Sequence, residues 1–221
     1  MENLEKIPSF SAGELIADGC IHVIGVAASI SAVTALMVVA AIYLPALSIA
    51  SLGVYGAGLV AVFGFSAGYH LISYPSWKEV LRHIDRSAIF LMIAGTYTPF
   101  AIVKMGGVWG YSLLALVWAV ALIGIVLQPR LSQRYQWTLT ALYLVQGWAV
   151  LVALDPLLAS VSMRVFILLA IGGSLYTLGI VFHLWRSLPY QKAIWHGFVL
   201  VAAGFHYTAV LDAMALTGNL A

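Results

Sequence analysis

The sequence predicts an all-α integral membrane protein, a bundle of seven transmembrane helices with its amino terminus in the cytoplasm. Three observations carry this. Hydrophobic residues make up 63% of the 221 positions and charged residues only 8%, whereas a soluble domain is roughly half apolar and about a quarter charged. The apolar residues form seven continuous runs, each near the roughly 20 residues that a spanning helix needs. The lysines and arginines divide unevenly between alternate connections, as they do in oriented membrane proteins.

The runs are Glu14–Ala41, Ala46–Ser73, Ile84–Val103, Val108–Leu127, Tyr135–Leu154, Ser160–Trp185 and Ala193–Ala215. They are helices rather than barrel strands because they are continuous and do not alternate with a period of two. The opening MENLEKIPSFSA lacks the basic start and small-residue cleavage site of a secretory signal. The first run therefore reads as a retained helix behind a short cytoplasmic segment, residues 1–13. Its Cys20, the sole cysteine, excludes an intrachain disulfide and a thiolate cluster, and reads as a packing residue. The second run carries Gly64 and Gly68 at a spacing that lets helices approach closely, as Gly172–Gly173 does in the sixth. A short charged turn holding His83 separates the second and third runs. Pro99 should loosen the third helix after Thr98, because proline cannot donate to the preceding turn. Connections are short, so neighbours in sequence should pack antiparallel. With no linker, low-complexity tract or convincing internal repeat, residues 1–221 read as a single membrane domain.

Orientation follows from the cations. The amino-terminal side holds Lys6, Lys78, Arg82, Arg86, Arg130, Arg134, Arg186 and Lys192, and the other side holds Lys104 and Arg164. The positive-inside rule places the first group in the cytoplasm. Trp77, Trp137 and Trp185 lie near the same helix ends, as interfacial anchors should. The net charge of +2 is too small and too scattered to argue for nucleic acid.

Ionisable groups at membrane depth are costly, so a cluster of them marks a functional site by default. The topology brings several to one level. His70 lies near the cytoplasmic end of the second helix, with Ser66 one turn deeper on the same face. Asp85 opens the third helix on that side, and His196 lies about one turn into the seventh. Glu14, Asp18 and His22 line one face of the first, and His183 ends the sixth. His206 lies ten residues beyond His196, about 15 Å along the helix, and belongs to a hydrogen-bonded core position instead. Asp155 and Asp212 fall on the other side, at the interface. From the residues alone, His70 and His196 fit either a zinc site, completed by a third protein ligand and water, or hydrogen-bonded buried histidines.

The motifs SAGYH (Ser66–His70), HIDRSAIFLMIAGTYTPF (His83–Phe100) and AIWHGFVLVAAGFH (Ala193–His206) together resemble the hemolysin III family. That family is grouped with the progestin and adipoQ receptors and, more distantly, the alkaline ceramidases. GELIADGCIHVIG (Gly13–Gly25) and GGSLYTLGIVFHLW (Gly172–Trp185) fit the same pattern, so the resemblance covers nearly the whole chain. It implies a seven-helix bundle holding a zinc ion near the inner leaflet through three histidines. His70 matches one ligand and His196 the second of an H-x-x-x-H pair, whose first position is Lys192 here. A charged lysine ammonium has no lone pair to give a metal. The third place would then fall to Asp85, His22 or a second water, unless Lys192 abolishes the site. Lys192 could also reach out to the interface and leave the site alone. Ser66 and Asp85 match the family's serine and aspartate beside the metal, and Glu14 and His22 a polar patch on the first helix.

The resemblance implies a zinc-dependent hydrolase of lipid amides or esters, with membrane lipid as substrate, in a bacterial cytoplasmic (inner) membrane. Asp85 would act as general base and Ser66 as hydrogen-bond donor. A lipid or small-ligand receptor with a structural metal is the alternative, and a cytolytic pore a second one. A pore requires a polar stripe through the full membrane depth, and here the polar residues concentrate at one end. The oligomeric state is left open.

Overall fold

A computed structural model describes residues 10–72, 74–130 and 136–216. Among them the chain forms helices only: α1 (Ala12–Tyr43), α2 (Ala46–Leu71), α3 (Pro75–Pro99), α4 (Gly107–Leu127), α5 (Gln136–Gly147), α6 (Leu154–Ser160), α7 (Met163–Leu184) and α8 (Gln191–Leu211). Seven helical segments are long and apolar enough to cross a membrane, the fifth running through α5 and α6. Large apolar side chains face outward along them, up to Val108 at 82% exposed. A surface of that kind is suited to lipid rather than water.

α1 starts on a capping box. The Glu14 amide donates to Ser11 Oγ at 3.3 Å and the Ser11 amide to Glu14 Oε2 at 2.8 Å, so two donors left over at the helix start are satisfied reciprocally. Glu14 Oε1 also accepts from the Tyr190 amide at 2.9 Å, which pins the start of α8 beside the start of α1. Further along the same pair, the Tyr207 hydroxyl donates to the Ala32 carbonyl at 2.9 Å. α1 and α8 therefore run parallel, and α2 returns between α1 and α3.

The third span begins earlier than the apolar run suggests. Pro75 occupies the first turn of α3, where its missing N–H costs nothing. The stretch expected as a charged turn is helix, with Arg82 and Glu79 paired three residues apart at 3.2 Å. His83 is accordingly half-buried on a helix, its Nδ1 2.8 Å from the Glu79 carbonyl, and Asp85 lies inside α3 rather than at its opening. Lys78 explains why charge belongs here. Its ammonium donates to the carbonyls of Tyr69 and Ile72, capping the end of α2.

Pro99 acts as expected. Past it the helix widens into a π turn, Phe100–Met105, closed by the Gly106 amide on the Ala101 carbonyl at 3.0 Å. Gly106 and Gly107 then adopt φ of +57° and +54°, positions open to glycine at no steric cost.

The fifth span is broken, which the apolar pattern did not foretell. A 3-10 turn, Ala149–Ala153, separates α5 from α6, so this span ends at Ser160 instead of Leu154. Tyr97 satisfies the break: its hydroxyl donates to the Gly147 carbonyl at 2.6 Å and accepts from the Val150 amide at 3.0 Å. Gln146 donates to the carbonyls of Phe90 and Val117, both at 3.1 Å, and ties α5 to α3 and α4.

Close packing does not use Gly64, which has open space around it, and Gly68 meets only Leu81 at ordinary contact distance. α2 and α3 cross instead at Gly58 and Gly95. A Cβ on Gly58 would lie 3.2 Å from the Leu91 carbonyl, and one on Gly95 3.2 Å from that of Val54. Gly172 does serve this purpose, since the His206 ring lies where its Cβ would go. Asp212 is buried and paired with Arg164 at 3.2 Å, not interfacial. Cys20 is exposed on the outer face of α1, not packed in the core. Trp77, Trp137 and Trp185 are exposed, as anchors should be.

The described cations follow the expected split. Lys78, Arg82, Arg86, Arg130, Arg186 and Lys192 lie toward the end where α1 and α8 begin, and Lys104 and Arg164 toward the other. Lys6 and Arg134 lie outside the described residues.

Gly95→Leu should lower stability by about 1–3 kcal/mol, the usual cost of overpacking, because the obstructing atoms are backbone. Gly64→Ala should be neutral or slightly stabilising. Thermal melts of the two variants in detergent check both.

Candidate functional site

The site forms where the start of α1, the end of α2 and the start of α8 meet. Asp18 and His22 are four residues apart on α1 and so share one face. Both are buried. His70 stands at the last turn of α2 and His196 at the second turn of α8. Asp18 joins them: its Oδ2 lies 3.0 Å from His70 Nδ1 and its Oδ1 2.6 Å from His196 Nδ1. The three imidazoles pack on one another, His22 stacked on His70 at 4.6 Å between centroids and 4.4 Å from His196, with His70 and His196 4.7 Å apart. One ligand atom from each of Asp18, His22, His70 and His196 lies within 4.8 Å of the others.

These residues fit a metal ion. Three imidazoles and a carboxylate are ordinary ligands of zinc and of similar first-row ions. His22 Nε2 supplies the test. It sits on a side chain only 2% exposed, has no hydrogen-bond partner among the described residues, and its nearest acidic atom is Asp18 Oδ2 at 3.6 Å, beyond hydrogen-bonding distance. A buried nitrogen left without a partner is costly in free energy, and a cation among these donors removes that cost.

The expected site residues divide into three groups. His70, His196 and His22 come together, with Asp18. Ser66 and Asp85 form an adjoining pair: Ser66 is buried, its side chain lies against the Asp85 carboxyl, and that carboxyl interacts electrostatically with His22 and His196. Asp85 is not among the four converging donors. Glu14 stays with the capping box and Tyr190. Lys192 turns outward, its Nζ 3.9 Å above the Phe10 ring, a favourable cation–π arrangement. His183 packs on Trp195 at 4.9 Å. His206 is held in the core, its Nε2 3.2 Å from the Leu169 carbonyl and Tyr176 beside its ring.

Asp18 is the residue that sequence reasoning placed on the right face without assigning it to the site. The signal was present: an acid one turn before a histidine in an otherwise apolar helix has no cheap alternative to a buried partner.

Seven apolar spans, three of which bring together an Asp–His cluster, define a polytopic membrane protein with a candidate metal centre. The chain belongs to the haemolysin-III related family, which it matches over residues 14–207. It is 40% identical to Hemolysin-3 homolog of Bacillus subtilis (strain 168) over 202 residues, covering 91% of this chain and 95% of that one. It is 36% identical to Hemolysin-3 of Bacillus cereus over 95% of each chain. At 29% identity it also resembles the human Monocyte to macrophage differentiation factor, over 71% of this chain and 67% of the relative. No solved structure matches.

Zinc added to metal-free protein should raise its melting temperature, and a chelator should reverse the shift. At a hundredfold excess over Kd the gain is about 2.7 kcal/mol. His70→Ala should abolish the response, which thermal melts with and without metal would show.

Proposed function

We propose that this protein is a metal-dependent hydrolase of lipid amide or ester bonds, with its site in the cytoplasmic leaflet of a bacterial inner membrane. The observation that carries the reading is the convergence of Asp18, His22, His70 and His196 around an unpartnered imidazole nitrogen, with a second carboxylate, Asp85, beside it. The cationic collar at the same end supports the orientation through the positive-inside rule. The family likeness supports the chemistry by analogy, since fold alone does not fix function.

When bound, a zinc ion supplies Lewis acidity and makes water a usable nucleophile near neutral pH. The protein supplies the rest. Histidines of the cluster would hold the ion, with Asp18 bonded to His70 and His196 beside it, which leaves a position open to water. The Asp85 carboxylate takes a proton from the attacking water as its oxygen bonds to the acyl carbon. It returns that proton to the departing amine nitrogen or alcohol oxygen as the acyl bond breaks. The Ser66 hydroxyl, lying against Asp85, orients that carboxylate. An apolar groove of about 390 Å³ lined by Ile16, Gly19, Cys20, Val23, Ile24 and Leu71 lies on the exposed face of α1, away from Asp18 and His22, and offers a wall to a lipid acyl chain.

A second reading has its own support. Three imidazoles and Asp18 can fill all four positions of a tetrahedral ion, and closed sites of that kind are structural. The metal would then brace a receptor for a lipid or small ligand. Cytolysis, which the relatives' names suggest, finds less support. Deeper in the bundle, Gln146 Nε2, the Tyr207 hydroxyl and His206 Nε2 are each engaged with a backbone carbonyl rather than left facing a pore.

Purified protein incubated with a panel of lipid amides and esters should release fatty acid. Asp85→Asn should lower the rate by about 100-fold or more, the low end of what a general base contributes, while keeping its metal. Metal content with no turnover on any substrate favours the structural site. Chelator-insensitive ion flux in liposomes favours the pore.

A further inference from the structure

The seventh span lacks one histidine that the resemblance implies, because position 192 is lysine. Four observations say how the site closes without it. The Lys192 ammonium, which has no lone pair to offer, leaves the cluster and rests 3.9 Å above Phe10. His22 occupies the interior instead, its ring 4.6 Å from His70 and 4.4 Å from His196. Its Nε2 is the buried cluster nitrogen without a hydrogen-bond partner among the described residues. α1 is fixed in register with α8 by the Glu14–Tyr190 hydrogen bond and the Asp18–His196 contact, so the ring is held where a ligand is needed.

We infer that His22 on the first span supplies the third imidazole ligand in place of residue 192, making the metal centre His22–His70–His196 with Asp18 beside it. The inference rests on the metal-site reading above and deepens it. Lys192 becomes a rim residue. It shares with Phe10, Glu14 and Leu15 the wall of a small pocket that reaches Asp18, and it can be replaced without loss of metal.

The test is metal binding by purified protein in detergent, loaded with zinc and then dialysed. Wild type should hold one zinc per chain. His22→Ala and His22→Gln, checked for monodispersity, should lose more affinity than the roughly 10–100-fold typical of an outer-shell partner. Lys192→Ala should bind as wild type does. The double variant His22→Ala/Lys192→His should regain zinc, because positions 192 and 196 share a helix face and the seventh span then offers the missing ring. Wild-type affinity in the His22 variants, or loss of metal in Lys192→Ala, overturns the inference. If neither His22 variant is monodisperse, zinc-edge X-ray absorption of loaded Lys192→Ala decides: outer-shell scattering from about three imidazole rings supports the assignment, and scattering from two refutes it. A wild-type protein that takes up no zinc refutes the metal reading itself, which separates the two failures.

Discussion

One carboxylate sets the constraint. Asp18 contacts imidazoles from two other helices and shares a helix face with a third, all in a region where water is scarce. A buried charge without partners costs several kcal/mol, so α1, α2 and α8 must converge at this depth for the chain to be stable. Much of the surrounding structure serves that convergence. The capping box and the Glu14–Tyr190 bond align the starts of α1 and α8, and the Lys78 ammonium closes the end of α2 where His70 projects.

The rest of the bundle holds a less polar half in place. The hydroxyls of Tyr97 and Tyr143 and the side-chain amide nitrogen of Gln146 donate to backbone carbonyls of neighbouring spans. Such bonds are valuable in lipid because exposed backbone groups there find no water. They also explain how a broken fifth span and a π turn after Pro99 are tolerated: each irregularity has a named partner.

Much of this was legible in the sequence, and the gaps have physical causes. Hydropathy located the seven spans, and the i, i+4 spacing put Ser66 with His70 and Asp18 with His22. The start of α3 was missed because hydropathy sees only the apolar part of a helix, and Pro75–Arg82 is amphipathic and charged. The break after Gly147 was invisible because the side chain that repairs it, Tyr97, is fifty residues away. Gly64 looked like a packing glycine on spacing alone, yet which face meets a neighbour depends on helix rotation, and rotation placed Gly58 and Gly95 at the crossing. Asp18 read as one member of a polar stripe because two of its partners, His70 and His196, lie on distant segments. Its importance appears only when α2 and α8 are folded beside it.

X-ray absorption at the zinc edge of the loaded protein tests the central claim most directly. The claim requires a first shell of nitrogen and oxygen at about 2.0–2.1 Å, with the outer-shell scattering of about three imidazole rings. A spectrum of oxygen alone, or one showing sulfur at about 2.3 Å from Cys20, would place the metal elsewhere and contradict the account.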